Sequence, residues 1–142
     1  MALGLGSRGR HLESLPYFRH ALAGIRQDFW AIHRNYAAAL NNAALEVRAL
    51  RGTGASTSRA SFERIAMLRE AQRELELAER LAPDPRIRAA LLDARGGNLE
   101  LWGFPWDALQ NYRAALAVDP ASAAIRAHAE GCAARLKDPE GR

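Results

Sequence analysis

Apolar residues return every three or four positions along most of this chain, with polar residues between them, the pattern of helices that bury one face. Leu12, Leu15, Phe18, Ala21 and Leu22 predict a helix over residues 11–24, which Pro16 either interrupts or enters in its first turn. Ile32, Tyr36, Leu40, Ala43, Val47 and Leu50 form a second stripe, predicting a helix from Phe29 to Leu50. The segment 51–58 is rich in glycine, serine and threonine and reads as a flexible loop. Ser58 or Ser61 is then placed to cap a helix that runs to Leu81. Further helices are expected from Pro85 to about Gly103, from Pro105 to about Val118, and from about Ala121 to Leu136, before a frayed tail at 138–142. The fold class is therefore all-α.

One block within these helices is written twice. Ala71, Leu75, Ala78 and Pro83 recur with the same spacing as Ala108, Tyr112, Ala115 and Pro120. Two small residues let a neighbouring helix approach, the large one fills the gap, and proline ends the helix. Asp84-Pro85 and Asp119-Pro120 then offer fresh helix starts, aspartate as the cap and proline in the first turn. Gly96 stands where two helices would touch, and Gly103 where the chain would reverse. A weaker copy lies at Ser14, Phe18 and Ala21, with Arg26 in the proline position.

On these residues the chain resembles the tetratricopeptide repeat family, whose helical hairpins recur about every 34 residues. The likeness covers nearly the whole chain, residues 1–142, as one helical-repeat domain: about three hairpins and a C-terminal capping helix. It has departures. Arg95 stands where the family prefers leucine, and the two good copies are 37 residues apart. The repeat from Phe29 to Pro83 exceeds the consensus by about 20 residues, mostly helical in pattern. Val47, Leu50, Phe62, Ile65 and Leu68 are expected to pair there as an antiparallel arm. At the other end, residues 1–10 are too short and glycine-rich to partner the first helix, which leaves Leu15, Phe18 and Leu22 poorly covered. The start is then either a fragment boundary or a docking surface, and a homodimer through the arm or this helix is a further expectation.

Composition narrows the class of partner. The chain is 49% hydrophobic and 25% charged, ordinary values for one globular domain. The charge of +4 is spread, and Lys137 is the only lysine, so arginine supplies almost all the positive charge among sixteen acids. Abundant arginine and alanine fit a GC-rich, bacterial genome better than a selected basic patch, and nucleic acid is not favoured. No apolar run reaches the length of a membrane span, and Cys132 has no partner for a disulfide. These features lead us to expect a cytoplasmic chain.

Candidate chemistry is sparse. Gly4-Leu5-Gly6-Ser7-Arg8-Gly9 fits the dinucleotide-binding glycine pattern, but that site needs a preceding strand and only Met1, Ala2 and Leu3 precede it. No two of His11, His20, His33 and His128 stand four apart, and no Cys-x-x-Cys accompanies them, so they read as surface or packing residues. Glu63, Glu70, Glu74, Glu76 and Glu79 alternate with arginines as solvated faces usually do. No catalytic centre, cofactor or metal site is expected.

The resemblance implies instead a concave groove lined by the first helix of each hairpin and holding an extended peptide or partner helix. It nominates Arg34, Ala38, Asn41 and Asn42, then Asp93, Gly97 and Glu100. Arginine and asparagine grip a peptide backbone or carboxylate, and the acids favour mixed-charge ligands. The family's carboxylate clamp needs more basic and asparagine positions than are present. Trp102, Phe104 and Trp106 place three large aromatics in five residues, anchors either of a core or of a partner contact. The expected function is non-catalytic protein interaction; the alternatives are a recruiting segment of a larger enzyme and a helical-repeat binder of nucleic acid.

Overall fold

A computed structural model of the chain describes residues 11–23, 29–50 and 57–137, without the side chains of 11, 48–50 and 57–60. The glycine pattern at 4–9, most of the 51–58 loop and the 138–142 tail lie outside them. Among the described residues all regular structure is helical: α1 His11–Ala23, α2 Trp30–Leu50, α3 Thr57–Leu81, α4 Pro85–Trp102, α5 Pro105–Val118 and α6 Ala123–Lys137. Thr57 and Ser58, expected in the loop, are already helical. By contact the chain divides into two compact units, residues 1–81 and 82–142.

In the first unit α1 and α3 each pack on α2. Both pairings are antiparallel, because Leu12 bonds to Glu46 while Arg19 bonds to Tyr36, and His33 bonds to Glu74 while Tyr36 bonds to Glu70. The core is built from small and branched side chains: Ala37, Leu40, Ala43, Ala44 and Val47 on α2 meet Leu68, Ala71, Leu75 and Ala78 on α3, all buried. Alanine allows close helix approach, and each buried leucine contributes roughly 1.5–3 kcal/mol.

Three expectations change here. Leu15 and Phe18 are buried, because α1 lies along α2 and the Phe18 ring stacks on Tyr36 at 5.9 Å; of the trio thought uncovered, only Leu22 remains partly so. Pro16 sits inside α1, so the Leu12 carbonyl four residues back has no helical donor. In the long hairpin Val47 and Leu68 are buried, but Phe62 is 76% exposed and Ile65 also faces outward, so these two do not pair with α2. They lie three apart on one exposed face of α3.

In the second unit α5 packs on α4, and α6 packs on α5 and also meets α4. Ala108, Leu109 and Tyr112 pack with Ala129 and Cys132, while Ala89 and Leu92 pack with Ala115 and Ile125. The duplicated block is thus buried in both copies: Ala71, Leu75 and Ala78 on α3, and Ala108, Tyr112 and Ala115 on α5. Gly96 and Gly103 take the expected places. A side chain at Gly96 would run into Tyr112, and Gly103 ends α4 at φ 105°, with its own N–H and that of Phe104 returning to Leu99.

The starts of α4 and α6 differ from each other. Asp84 caps α4 by accepting from the Ile87 N–H at 3.0 Å. Asp119 does not cap α6. Its peptide closes α5 instead, and α6 begins later than expected, capped by Ser122 accepting from the Ile125 N–H at 3.3 Å. The Arg126 guanidinium donates to the Pro120 carbonyl at 2.7 Å, which holds this turn against the helix.

Candidate functional site

Three of the nominated residues of α2, Arg34, Ala38 and Asn41, form one stripe with Leu45. Arg34, Ala38, Asn41 and Leu45 succeed one another at four-, three- and four-residue steps, on the side away from the buried His33, Tyr36, Ala37, Leu40 and Ala44. Arg34 is held in place: its guanidinium lies over the Trp30 ring at 5.1 Å and donates to Asn35 Oδ1. Asn41 is half-buried, and its Oδ1 is fully covered yet has no hydrogen-bond partner among the described residues. Asn42 is half-buried beside it. One face of a helix thus carries an oriented cation and, two turns on, an unsatisfied amide oxygen.

The residues nominated on α4 do something else. Asp93 receives a hydrogen bond at 2.8 Å from Nδ1 of His128, and Glu100 accepts both from the Tyr112 hydroxyl at 2.5 Å and from the Arg135 guanidinium. These contacts tie α4 to α5 and α6. Asp93 and Glu100 are therefore fastenings within the second unit. The pairs Asp93–His128 and Glu100–Arg135 are each separated by 35 residues, so α4 and α6 run parallel in a fixed register. Burial and then the Glu100 hydrogen bond push the Tyr112 phenol well above its usual range. Cys132 is buried, donates to the Pro105 carbonyl, and has its thiol pushed up mainly by desolvation.

The aromatic segment is not core. Trp102 is half-buried and meets Phe104 edge to face at 5.3 Å, but Phe104 is 44% and Trp106 66% exposed. Phe104 stands in the turn between α4 and α5 and Trp106 in the first turn of α5, both open to solvent.

A second feature of the first unit was not anticipated. Between α1 and α3, above α2, runs a cleft of two adjoining cavities of about 430 and 300 Å³ that share Leu22 and Glu74. Its floor is polar. His33, buried, bonds through Nδ1 to both carboxylate oxygens of Glu74 at 3.3 Å, and Glu74 is buried with it. Next to them the Tyr36 hydroxyl donates to Glu70 at 2.5 Å while accepting from Arg19 Nε at 3.0 Å, and Arg19 also pairs with Glu70 at 3.7 Å. Burial and the Glu70 bond push the Tyr36 phenol up to about 12. Glu70 and Glu74 are therefore inward residues, not members of a solvated face. Their spacing with Leu77 and Leu81, at steps of four, three and four, is the sequence signal that would have found them.

Among the described residues no group of three or more histidine, cysteine, aspartate or glutamate side chains is placed to hold a metal ion. No helix among them is long and apolar enough to cross a membrane. No family model matches the chain, and no curated protein matches it.

Proposed function

We propose that the chain is a non-catalytic protein-interaction module of tetratricopeptide-like hairpins, and that α2 grips an extended peptide through Arg34, Asn41 and Asn42. The unsatisfied Asn41 Oδ1 carries this reading. Buried polar atoms in folded proteins are nearly always hydrogen-bonded, and an orphan costs about 1–3 kcal/mol, so this covered acceptor, on a half-buried side chain of an otherwise exposed stripe, is matched to a ligand's donor once the side chain turns outward. A peptide N–H is such a donor. Arg34, seven residues away, lies roughly 10 Å along the helix, about three residues of extended chain, and supplies a cation for a carboxylate or carbonyl.

The hairpin reading draws support from the second unit. Parallel α4 and α6 with a 35-residue offset are what repeats of about 34 residues bring together, and α5 between them buries the repeated small-large-small block. With Asp93 and Glu100 engaged inside the unit, the ligand-gripping role falls on α2 alone.

Selection of a displayed random-peptide library on the whole chain tests the reading. The expected result is a family of peptides whose binding weakens at least tenfold with Arg34→Glu and with Asn41→Ala. Peptides that bind these variants as well as the wild type, or a selection that enriches nothing, would refute it.

A further inference from the structure

The α1/α3 cleft lies on a different part of α2 from the Arg34–Asn41 stripe, and its composition specifies an occupant. Every carboxylate in it is already engaged: Glu70 by Tyr36 and Arg19, Glu74 by His33. Of its three arginines only Arg19 is engaged. Arg73 and Arg80 are exposed and have no hydrogen-bond or ion-pair partner among the described residues, though both line the cleft. Two guanidiniums of the lining thus stand without a carboxylate of their own. The larger cavity is otherwise walled by Leu22 from α1 and by Leu77 and Leu81 from α3, which leave apolar surface open to solvent at its mouth. Cavities of 300–430 Å³ are of the size that holds an anchoring side chain or a small ligand.

Spacing decides between those two. Arg73 and Arg80 are seven residues apart on α3, two turns and roughly 10 Å, farther than one carboxylate reaches. Two acids on a common backbone are needed to meet both. We infer that this cleft is a docking site for an acidic amphipathic segment of a partner protein. The segment inserts a large aliphatic side chain between Leu22, Leu77 and Leu81 and sets carboxylates on Arg73 and Arg80. Arginine presents a planar fork to each carboxylate, and the apolar anchor supplies the area that exposed ion pairs lack. The buried His33–Glu74 pair and the Arg19–Tyr36–Glu70 chain hold the walls at a fixed separation, so the cleft is formed before the segment arrives.

The test uses the whole chain and a fluorescein-labelled peptide with leucines three and four apart and glutamates seven apart on the same face, followed by anisotropy. Two further peptides replace the glutamates by glutamine or the leucines by serine. Saturable binding is expected, at least tenfold weaker for either altered peptide and for Arg73→Glu/Arg80→Glu, and weaker as salt rises. Both arginines are exposed, so the double variant keeps the helical circular dichroism of the wild type. Arg34→Glu is expected to bind this peptide unchanged, which separates the cleft from the α2 stripe. Absence of saturable binding, or equal affinity for the glutamine peptide or for the double arginine variant, overturns the inference. Displacement of the peptide by decanoate at comparable concentration also overturns it, in favour of a site for a single-carboxylate amphiphile.

Discussion

A methyl carbon added to Gly96 would lie 2.4 Å from Cε1 of Tyr112, far inside carbon–carbon contact distance, whereas one added to Gly97 would come no closer than 3.9 Å, to the Tyr112 hydroxyl. The Tyr112 ring is buried and its hydroxyl is bonded to Glu100, so it has little room to move. Gly96→Ala therefore overpacks the α4–α5 contact, costing about 1–3 kcal/mol against the ~1 kcal/mol that alanine gains as a helix former. Gly97→Ala keeps the gain without the clash. Urea denaturation should show Gly96→Ala less stable than wild type and Gly97→Ala more stable, by about 0.5–1 kcal/mol.

The caps give a second contrast. Ser122→Ala removes the side-chain acceptor at the start of α6, and Asp84→Ala the one at α4; each is expected to cost ~1 kcal/mol. Asp119→Ala removes no cap and should change stability by less than about 0.5 kcal/mol. Thermal melts of the three variants decide which residue starts α6.

Alkaline titration reports the buried phenols. Folding raises Tyr36 from the usual 10.0 to about 12, so the folded state holds that proton more tightly than the unfolded chain. Its contribution is whole below pH 10 and is lost as pH rises toward 12, where the unfolded chain has already given up the proton. Stability measured by denaturant at stepped pH should fall across this window, and fall less steeply in Tyr36→Phe. Tyr112 is raised as well, so a residual slope should remain in that variant and diminish further in Tyr36→Phe/Tyr112→Phe.

What could be read in the sequence follows from how far each signal reaches. Helix spans came out to within about two residues, because periodicity, proline and glycine act within one or two turns, and Gly96 and Gly103 were placed by the same local logic. The acids were misread for the opposite reason. Glu70 and Glu74 look like any glutamates among arginines, and what turns them inward is a tyrosine 34 residues away and a histidine 41 residues away. Asp93 and Glu100 likewise find His128 and Arg135 on a helix 35 residues on. Phe62 erred the other way. A large apolar residue near a helix start was expected to pair with α2, but it is 76% exposed. The cleft between α1 and α3 belongs to no single stretch of sequence, since three helices contribute its lining.

The proposed role of α2 rests on one atom, and it is most directly tested by a double-mutant cycle on a library-selected peptide. The peptide is made with and without an N-methyl group at the amide whose methylation weakens binding most, and titrated against the wild type and Asn41→Ala. The dissociation constant is expected to rise about five- to tenfold with Asn41→Ala, roughly 1–1.4 kcal/mol, and N-methylation should add almost nothing further in that variant. Equal affinity of the unmodified peptide for both proteins would contradict the account, as would effects of the two changes that simply add.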